Sequence, residues 1–151
     1  MRLIRKFAAL SWGDRWLLME AWFLLGAARL ALWIVPFRRL ARCLGPQAIP
    51  VEAAQASGAP TSGTSRIAWA VDTMSRHTPW ESACLAQAIT GKFMYERRGM
   101  PTRLYLGTRK DEKGELVAHA WLGVANTILL GGKGHETFTV LAAFGESPAE
   151  R

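Results

Sequence analysis

The feature that most constrains this chain is a long apolar stretch at residues 12–35, and Pro36 ends it. It contains four tryptophans: Trp12, Trp16, Trp22 and Trp33. A membrane-spanning helix needs about 20 apolar residues without charge. Asp14, Glu20 and Arg29 interrupt this stretch. The sequence therefore predicts a long helix that does not span a membrane.

Basic charge is concentrated in the same part of the chain. Residues 1–50 hold eight Arg and Lys against two acidic residues, whereas residues 51–151 hold eleven against ten. Such a basic segment suits nucleic acid, a membrane surface or an acidic protein. Because the segment is rich in Trp, Leu and Ala rather than in Lys, Asn and Ser, we expect no nucleic-acid partner.

The start of the chain does not have the pattern of an export signal. Residues 1–6 are basic enough, but the apolar residues 7–13 are too few, and Asp14 closes them. We expect a cytoplasmic protein, with peripheral membrane contact through the basic segment as an option. Its two cysteines, Cys43 and Cys84, exclude a disulfide framework and are expected to stay thiols.

Composition divides the chain into three parts. Residues 47–65 are rich in Ala, Ser, Gly, Pro and Thr and have one charged residue, Glu52, which is typical of a linker. The linker would join a basic amphipathic helical arm, residues 1–46, to a globular core, residues 66–146. Whether the arm packs on the core or docks a partner stays open.

The core shows helical patterns first and strand patterns after them. Helices are predicted at residues 65–75 and 82–99. Strands are predicted at residues 103–107, 116–124, 127–130 and 137–144, with a tight turn at Ala125 and Asn126. This order predicts an α+β fold with a mainly antiparallel sheet.

Cys84 and His119 are the candidate catalytic pair. Cys84 falls in the first turn of a predicted helix, where free amides and the helix dipole favour a thiolate and later hold an oxyanion. His119 lies on a predicted strand and is the natural general base. A cysteine on a helix followed by a histidine on a strand is the arrangement of papain-like and transglutaminase-like enzymes.

Zinc binding is the other use of these residue types. The five candidates show no ligand spacing: Cys43, His77, Cys84, His119 and His135. There is also no phosphate-binding Gly-rich loop. We therefore expect no metal and no cofactor, and we expect Cys43 to be a buried small apolar side chain.

Several blocks of the chain resemble one enzyme family. WESACLAQA (residues 80–88) is similar to the W-x-x-x-C-L-x-Q-A block of lasso-peptide leader peptidases, which are transglutaminase-like cysteine proteases. The likeness continues in order through RRGMP (97–101), LYLG (104–107) and AHAWL (118–122), and PFRRLA (36–41) resembles the family's helical leader segment.

The resemblance implies a transglutaminase-like fold and a cysteine endopeptidase that processes microcin-type precursors. Such an enzyme cuts the leader from a ribosomally made precursor peptide and frees the new N-terminus for macrolactam closure. The implied partners are that precursor, a small, separately encoded leader-binding protein and an ATP-dependent lasso cyclase.

The chain departs from this family at the third catalytic position, where an Asp is expected on the strand after the histidine. Pairing the predicted hairpin places Leu122 opposite Leu129 and His119 opposite Gly132. Residues 130–133 hold no carboxylate. Glu136, Asn126 or a backbone carbonyl would then have to orient His119.

Three more residues are candidates for the site. Gln87, one turn after Cys84, would support the oxyanion or the substrate backbone, and Trp80 and Trp121 would wall the cleft. Two other functions use the same residues. One is a weak or inactive scaffold that presents the precursor, and the other is an acyl transferase of the transglutaminase type.

Overall fold

The computed structural model describes residues 9–48, 62–79, 83–124 and 127–145. In these ranges it has the predicted α+β order of helices followed by strands. The helices are α1 (Trp12–Ile34), α2 (Phe37–Cys43), α3 (Ser62–Ser75) and α4 (Cys84–Glu96). The strands are β1 (Gln47–Ala48), β2 (Arg103–Lys110), β3 (Leu116–Val124), β4 (Thr127–Leu130) and β5 (Thr139–Phe144), with a short 3-10 helix at His135–Thr137.

The strands form one sheet in the order β1-β5-β2-β3-β4, and every neighbouring pair is antiparallel. The hairpin of β3 and β4 begins with Val124 opposite Thr127, as predicted. A bulge then places Leu122 opposite Leu130, so the predicted pairing with Leu129 is wrong by one residue. The bulge inserts an extra residue into β4 and redirects the chain that follows it.

Helix α4 packs between the sheet and the other long helices. Its inner residues share one hydrophobic cluster with α1, α3 and the strands. Gly91 permits this contact, because a Cβ at Gly91 would collide with the side chain of Leu130 and lie 3.0 Å from Leu122 Cδ2. The close approach of helix and sheet fixes where the first residue of α4 lies.

Helix α1 belongs to the same core. The residues of its inner face are buried in the cluster: Leu17, Leu18, Ala21, Leu25 and Ala28. Polar contacts attach it as well, since Glu20 pairs with Arg97 and Arg98 at the end of α4. At its start, hydrogen bonds from Ser11 and then Arg66 hold the pKa of the Asp14 carboxyl below its usual range. The sequence left open whether the arm packs on the core or docks a partner. Helix α1 of the arm packs on the core.

The structure changes the boundaries of the expected linker at residues 47–65. Gln47–Ala48 form β1, which pairs with β5, and α3 begins at Ser62. Residues 49–61 lie outside the described residues. Cys43 also differs from expectation, since it is exposed. The reason is that α2 buries none of its residues.

Helix α1 is long and apolar enough to cross a membrane by length and composition. The sequence argument excluded a crossing because of Asp14, Glu20 and Arg29. Core helices of soluble proteins and signal sequences pass the same test of length and composition. In the structure, one face of α1 packs against α3 and α4.

Truncating the inner face of α1 should destabilise the whole fold. Leu25 is fully buried, so Leu25→Ala leaves a cavity and should lower the free energy of unfolding by about 2–5 kcal/mol. Leu30→Ala, on the same helix at a site 54% exposed, should change it by less than about 0.5 kcal/mol. Urea denaturation of both variants measures the difference. Equal, small effects would mean that α1 does not share the core.

Tyr95 should make stability depend on pH at the alkaline end. Burial disfavours its phenolate and raises its pKa to about 12, while a hydrogen bond with the Ala68 backbone acts in the opposite direction. Between its unfolded value of 10.0 and about 12, only the unfolded chain loses the proton, so stability falls as pH rises through this window. Tyr95→Phe should remove this part of the decline. Urea midpoints of both proteins, below and within the window, provide the measurement.

Candidate active site

Cys84 is the first residue of α4. The residue before it, Ala83, caps the helix without a side-chain hydrogen bond. The first amides of a helix have no partner within the helix, so those at the start of α4 are placed to donate hydrogen bonds to an anion. Cys84 itself is half-buried and is not in a disulfide. A thiolate and, later, an oxyanion are the groups that such a position stabilises.

His119 lies on β3 and makes one hydrogen bond that decides its chemistry. Its Nε2 is 2.7 Å from the carbonyl oxygen of Gly131. A carbonyl oxygen only accepts hydrogen bonds, so Nε2 must carry the proton that is donated. In the neutral ring the lone pair is then on Nδ1. Nδ1 is therefore the atom available as a base.

Aromatic side chains hold the His119 ring in place. Trp121, two residues further on the same face of β3, stacks beside it at 5.8 Å between ring centroids, and Phe138 lies at 5.0 Å. Trp121 is buried and packs against Gly107 of β2. This contact needs a glycine, because a Cβ at position 107 would lie 2.8 Å from the indole. This packing restricts rotation of the imidazole.

A cavity of about 270 Å³ has both Cys84 and His119 in its wall. The remaining lining residues are mostly apolar: Phe37, Leu85, Leu106, Gly107, Thr108, Ala118, Ala120 and Leu141. The lining combines α2, the start of α4 and three strands. Both predicted catalytic residues therefore line the same cavity, and their catalytic roles stay a prediction.

The two residues approach the cavity from opposite faces of β3. Cys84 packs against the cluster that contains Ala120, whereas the His119 ring shares its face with Trp121. No hydrogen bond joins the thiol of Cys84 to the ring of His119 in the described structure. A direct proton transfer between the two groups therefore requires one of the side chains to change its orientation.

The group at the third position is a backbone carbonyl. Because of the bulge in β4, Gly131 lies beside Ala120 and Trp121 with a left-handed φ of 70°, and its carbonyl faces His119. Glu136 is exposed, and its carboxylate is 3.3 Å from Nδ1 of His135 rather than at His119. Asn126 lies outside the described residues.

The other predicted site residues are placed as follows. Gln87 is half-buried on α4 and does not line the described cavity. Trp121 does not line it either, because it is buried beside the His119 ring. Trp80 lies outside the described residues. The role of Gln87 stays a prediction.

Sequence reasoning missed the contributions of Phe37, Leu141 and Phe138. Phe37 reaches the cavity from the N-terminal arm. Leu141 is the extra residue of a bulge in β5, between the residues that pair with Leu106 and Gly107. Nothing local in the sequence points to these contacts. The described residues contain no group of three or more His, Cys, Asp or Glu side chains that is placed to hold a metal ion.

Comparison with known families agrees with this arrangement. A family model described as the transglutaminase-like superfamily matches residues 31–143. The chain belongs to the transglutaminase-like superfamily. Members of this superfamily include cysteine proteases and transglutaminases, and they are usually enzymes. Searches of curated proteins and of solved structures each found no match. The match begins within α1, so the transglutaminase-like region includes the end of the arm.

Replacing Gly131 should disturb both stability and His119. Gly131→Ala forces a side chain into a left-handed conformation and places its Cβ 2.7 Å from the Ala120 carbonyl oxygen. Gly99→Ala is the matched control, with a similar φ of 73° and no atom within 4 Å. The control should cost about 1–2 kcal/mol of unfolding free energy, and Gly131→Ala should cost more.

Denaturation gives these energies, and NMR of the His119 ring reports the hydrogen bond. The ring resonances should shift in Gly131→Ala and stay unchanged in Gly99→Ala. Unchanged His119 resonances in both variants would contradict the assignment of the Gly131 carbonyl as the orienting group.

Proposed function

We propose that this chain is a cysteine endopeptidase that removes the leader peptide from a lasso-peptide precursor. The observation that carries the proposal is the cavity bordered by Cys84 and His119, with the Gly131 carbonyl setting the tautomer of the histidine. Membership of the transglutaminase-like superfamily supports Cys-His chemistry. The resemblance of residues 80–88 and 118–122 to leader peptidases supports this substrate class.

The first half of the proposed reaction forms a thioester. In this reaction the His119 ring comes within hydrogen-bond reach of Cys84 when the substrate binds, and Nδ1 takes the proton of the thiol. Sγ then attacks the carbonyl carbon of the scissile peptide bond. The carbonyl oxygen becomes an oxyanion, which the free amides at the start of α4 stabilise. The protonated His119 then donates its proton to the leaving nitrogen. The carbon–nitrogen bond breaks, and the core peptide leaves with a free amine.

The second half releases the leader. His119 removes a proton from a water molecule, and the hydroxide attacks the thioester carbon. The carbon–sulfur bond breaks, which frees the leader carboxylate and returns Cys84 to its starting form. No group outside the protein is consumed except water.

The Gly131 carbonyl supplies orientation without a full negative charge. It fixes the proton on Nε2, which keeps the productive tautomer of His119. A carboxylate would also stabilise the imidazolium that forms during catalysis. We therefore expect slower chemistry than in a Cys-His-Asp enzyme.

The proposed partners come from the resemblance. They are the precursor peptide, a separately encoded leader-binding protein that delivers it and an ATP-dependent lasso cyclase that uses the new amine. We place the reaction in the cytoplasm, where the thiols of Cys43 and Cys84 stay reduced.

Two other functions remain as outcomes of the test. The missing hydrogen bond between Cys84 and His119 favours a scaffold that presents the precursor without cutting it. Acyl transfer would use the same thioester and release it to an amine instead of water.

A cleavage assay with the cognate precursor and its leader-binding protein tests the proposal. The wild type should separate leader from core, as measured by mass spectrometry, and both Cys84→Ala and His119→Ala should lower the rate by at least about a thousandfold. Cys43→Ala and His77→Ala are the matched controls, since both residues are exposed and outside the cavity. They should cut at the wild-type rate.

Three results would contradict the peptidase. Binding of the precursor without cleavage would favour the scaffold. Cleavage by Cys84→Ala at the wild-type rate would place the nucleophile elsewhere. If an added primary amine is incorporated into the leader in preference to water, the chain is an acyl transferase.

A further inference from the structure

Helix α1 has a second apolar face, which points to solvent. Its residues are spaced by three, four or seven positions and are 47–79% exposed: Trp12, Trp16, Met19, Phe23, Leu30 and Ile34. This spacing aligns them along one side of the helix, opposite the buried inner face. We call this set the outer stripe. Soluble monomers rarely expose a continuous row of large apolar side chains.

Exposed arginines lie near the end of α1 and on α2, the helix that follows it. Arg29 on α1 and Arg38, Arg39 and Arg42 on α2 are exposed. None of these four has an acidic partner among the described residues. Other arginines near α1 are neutralised, as Arg66 is by Asp14 and Arg98 by Glu20. The charge is therefore left available beside the apolar stripe.

We propose that the outer stripe of α1 seats this protein on an anionic lipid bilayer, with the arginines of α2 bound to lipid headgroups. Apolar side chains with flanking Arg are the combination that holds an interfacial helix in the headgroup and acyl boundary. Tryptophan, present at positions 12, 16 and 33, prefers that boundary. An acidic protein surface would neutralise the charge of the arginines. It would not remove the apolar side chains of the outer stripe from water unless it also carried apolar side chains along the same length.

The helix lies in the membrane plane rather than across it. Leu25 and Ala21 on the inner face are fully buried in the protein core. Glu20 is held by Arg97 and Arg98 of the α4 end. A crossing would break these contacts, whereas an in-plane seat uses the outer stripe alone.

One residue of the cavity lining follows the outer stripe closely in the chain. Phe37, which lines the cavity with Cys84 and His119, follows Ile34 of the outer stripe by three residues. It also contacts Phe144 at 6.1 Å between ring centroids, which fixes the turn between α1 and α2. Membrane binding itself needs neither Cys84 nor His119, so it is independent of the peptidase proposal.

Sedimentation of the full chain with lipid vesicles tests this membrane binding, and tryptophan fluorescence is a second readout. The wild type should bind vesicles of phosphatidylcholine mixed with phosphatidylglycerol more tightly than vesicles of phosphatidylcholine alone, and added salt should weaken binding. Its tryptophan emission should shift to shorter wavelength on binding. Cys84→Ala should bind like the wild type.

Two sets of variants separate the apolar and the charged contributions. Trp16→Ala with Phe23→Ala should weaken binding to both kinds of vesicle. Arg38→Gln, Arg39→Gln and Arg42→Gln together should weaken binding to the anionic vesicles about a hundredfold, since each arginine near such a surface contributes about fivefold. The controls are Trp69→Ala on α3, where Trp69 is 40% exposed, and Arg76→Gln just after α3, where Arg76 is paired with Asp72. Both should bind like the wild type.

All substituted side chains are at least partly exposed, so unchanged thermal unfolding should accompany these effects. The proposal is wrong if the wild type fails to bind anionic vesicles, or if the controls weaken binding as much as the outer-stripe variants. It is also wrong if the wild type does not bind vesicles but forms a dimer, or a complex with the leader-binding protein, and the double variant Trp16→Ala with Phe23→Ala loses that assembly. The stripe would then be a protein interface.

Discussion

The close contact between helix α4 and the sheet at Gly91 is the constraint on which the site depends. Without a side chain at Gly91, Leu122 and Leu130 pack directly against the helix. That contact fixes the helix along the sheet, so its first residue, Cys84, lies over β2 and β3. Helices α1 and α3 cover the other sides of α4 in the same apolar cluster. Burial of one helix therefore links the stability of the fold to the position of the nucleophile.

Orientation of His119 depends on backbone geometry instead of an acidic side chain. The bulge in β4 and the left-handed Gly131 turn its carbonyl toward Nε2, and a side chain at this position would meet the Ala120 carbonyl. A carbonyl and a carboxylate fix the same tautomer, but only the carboxylate adds charge. In chemical terms the His119–Gly131 pair reproduces the orientation that a third catalytic residue gives and lacks its charge, while the Cys84 thiol is not hydrogen-bonded to the ring.

Helix α1 serves two environments with two faces. Its inner face completes the core through Leu25 and Ala21, while its outer stripe leaves Trp16 and Phe23 in solvent. Helix α2 follows directly and contributes Phe37 to the cavity. The end of the outer stripe and one residue of the cavity lining are therefore three positions apart in the chain.

The sequence by itself determined the order of the main helices and strands, the position of Cys84 in the first turn of a helix and the placement of His119 on a strand. These features follow from periodicity and from local helix and turn signals, which are encoded in neighbouring residues. Only the tertiary structure decided the register beyond Val124, the role of Gly131, the existence of β1 and the exposure of Cys43. A bulge and a backbone carbonyl have no side-chain signature, and the pairing of a two-residue strand or the burial of a cysteine depends on residues distant in the chain.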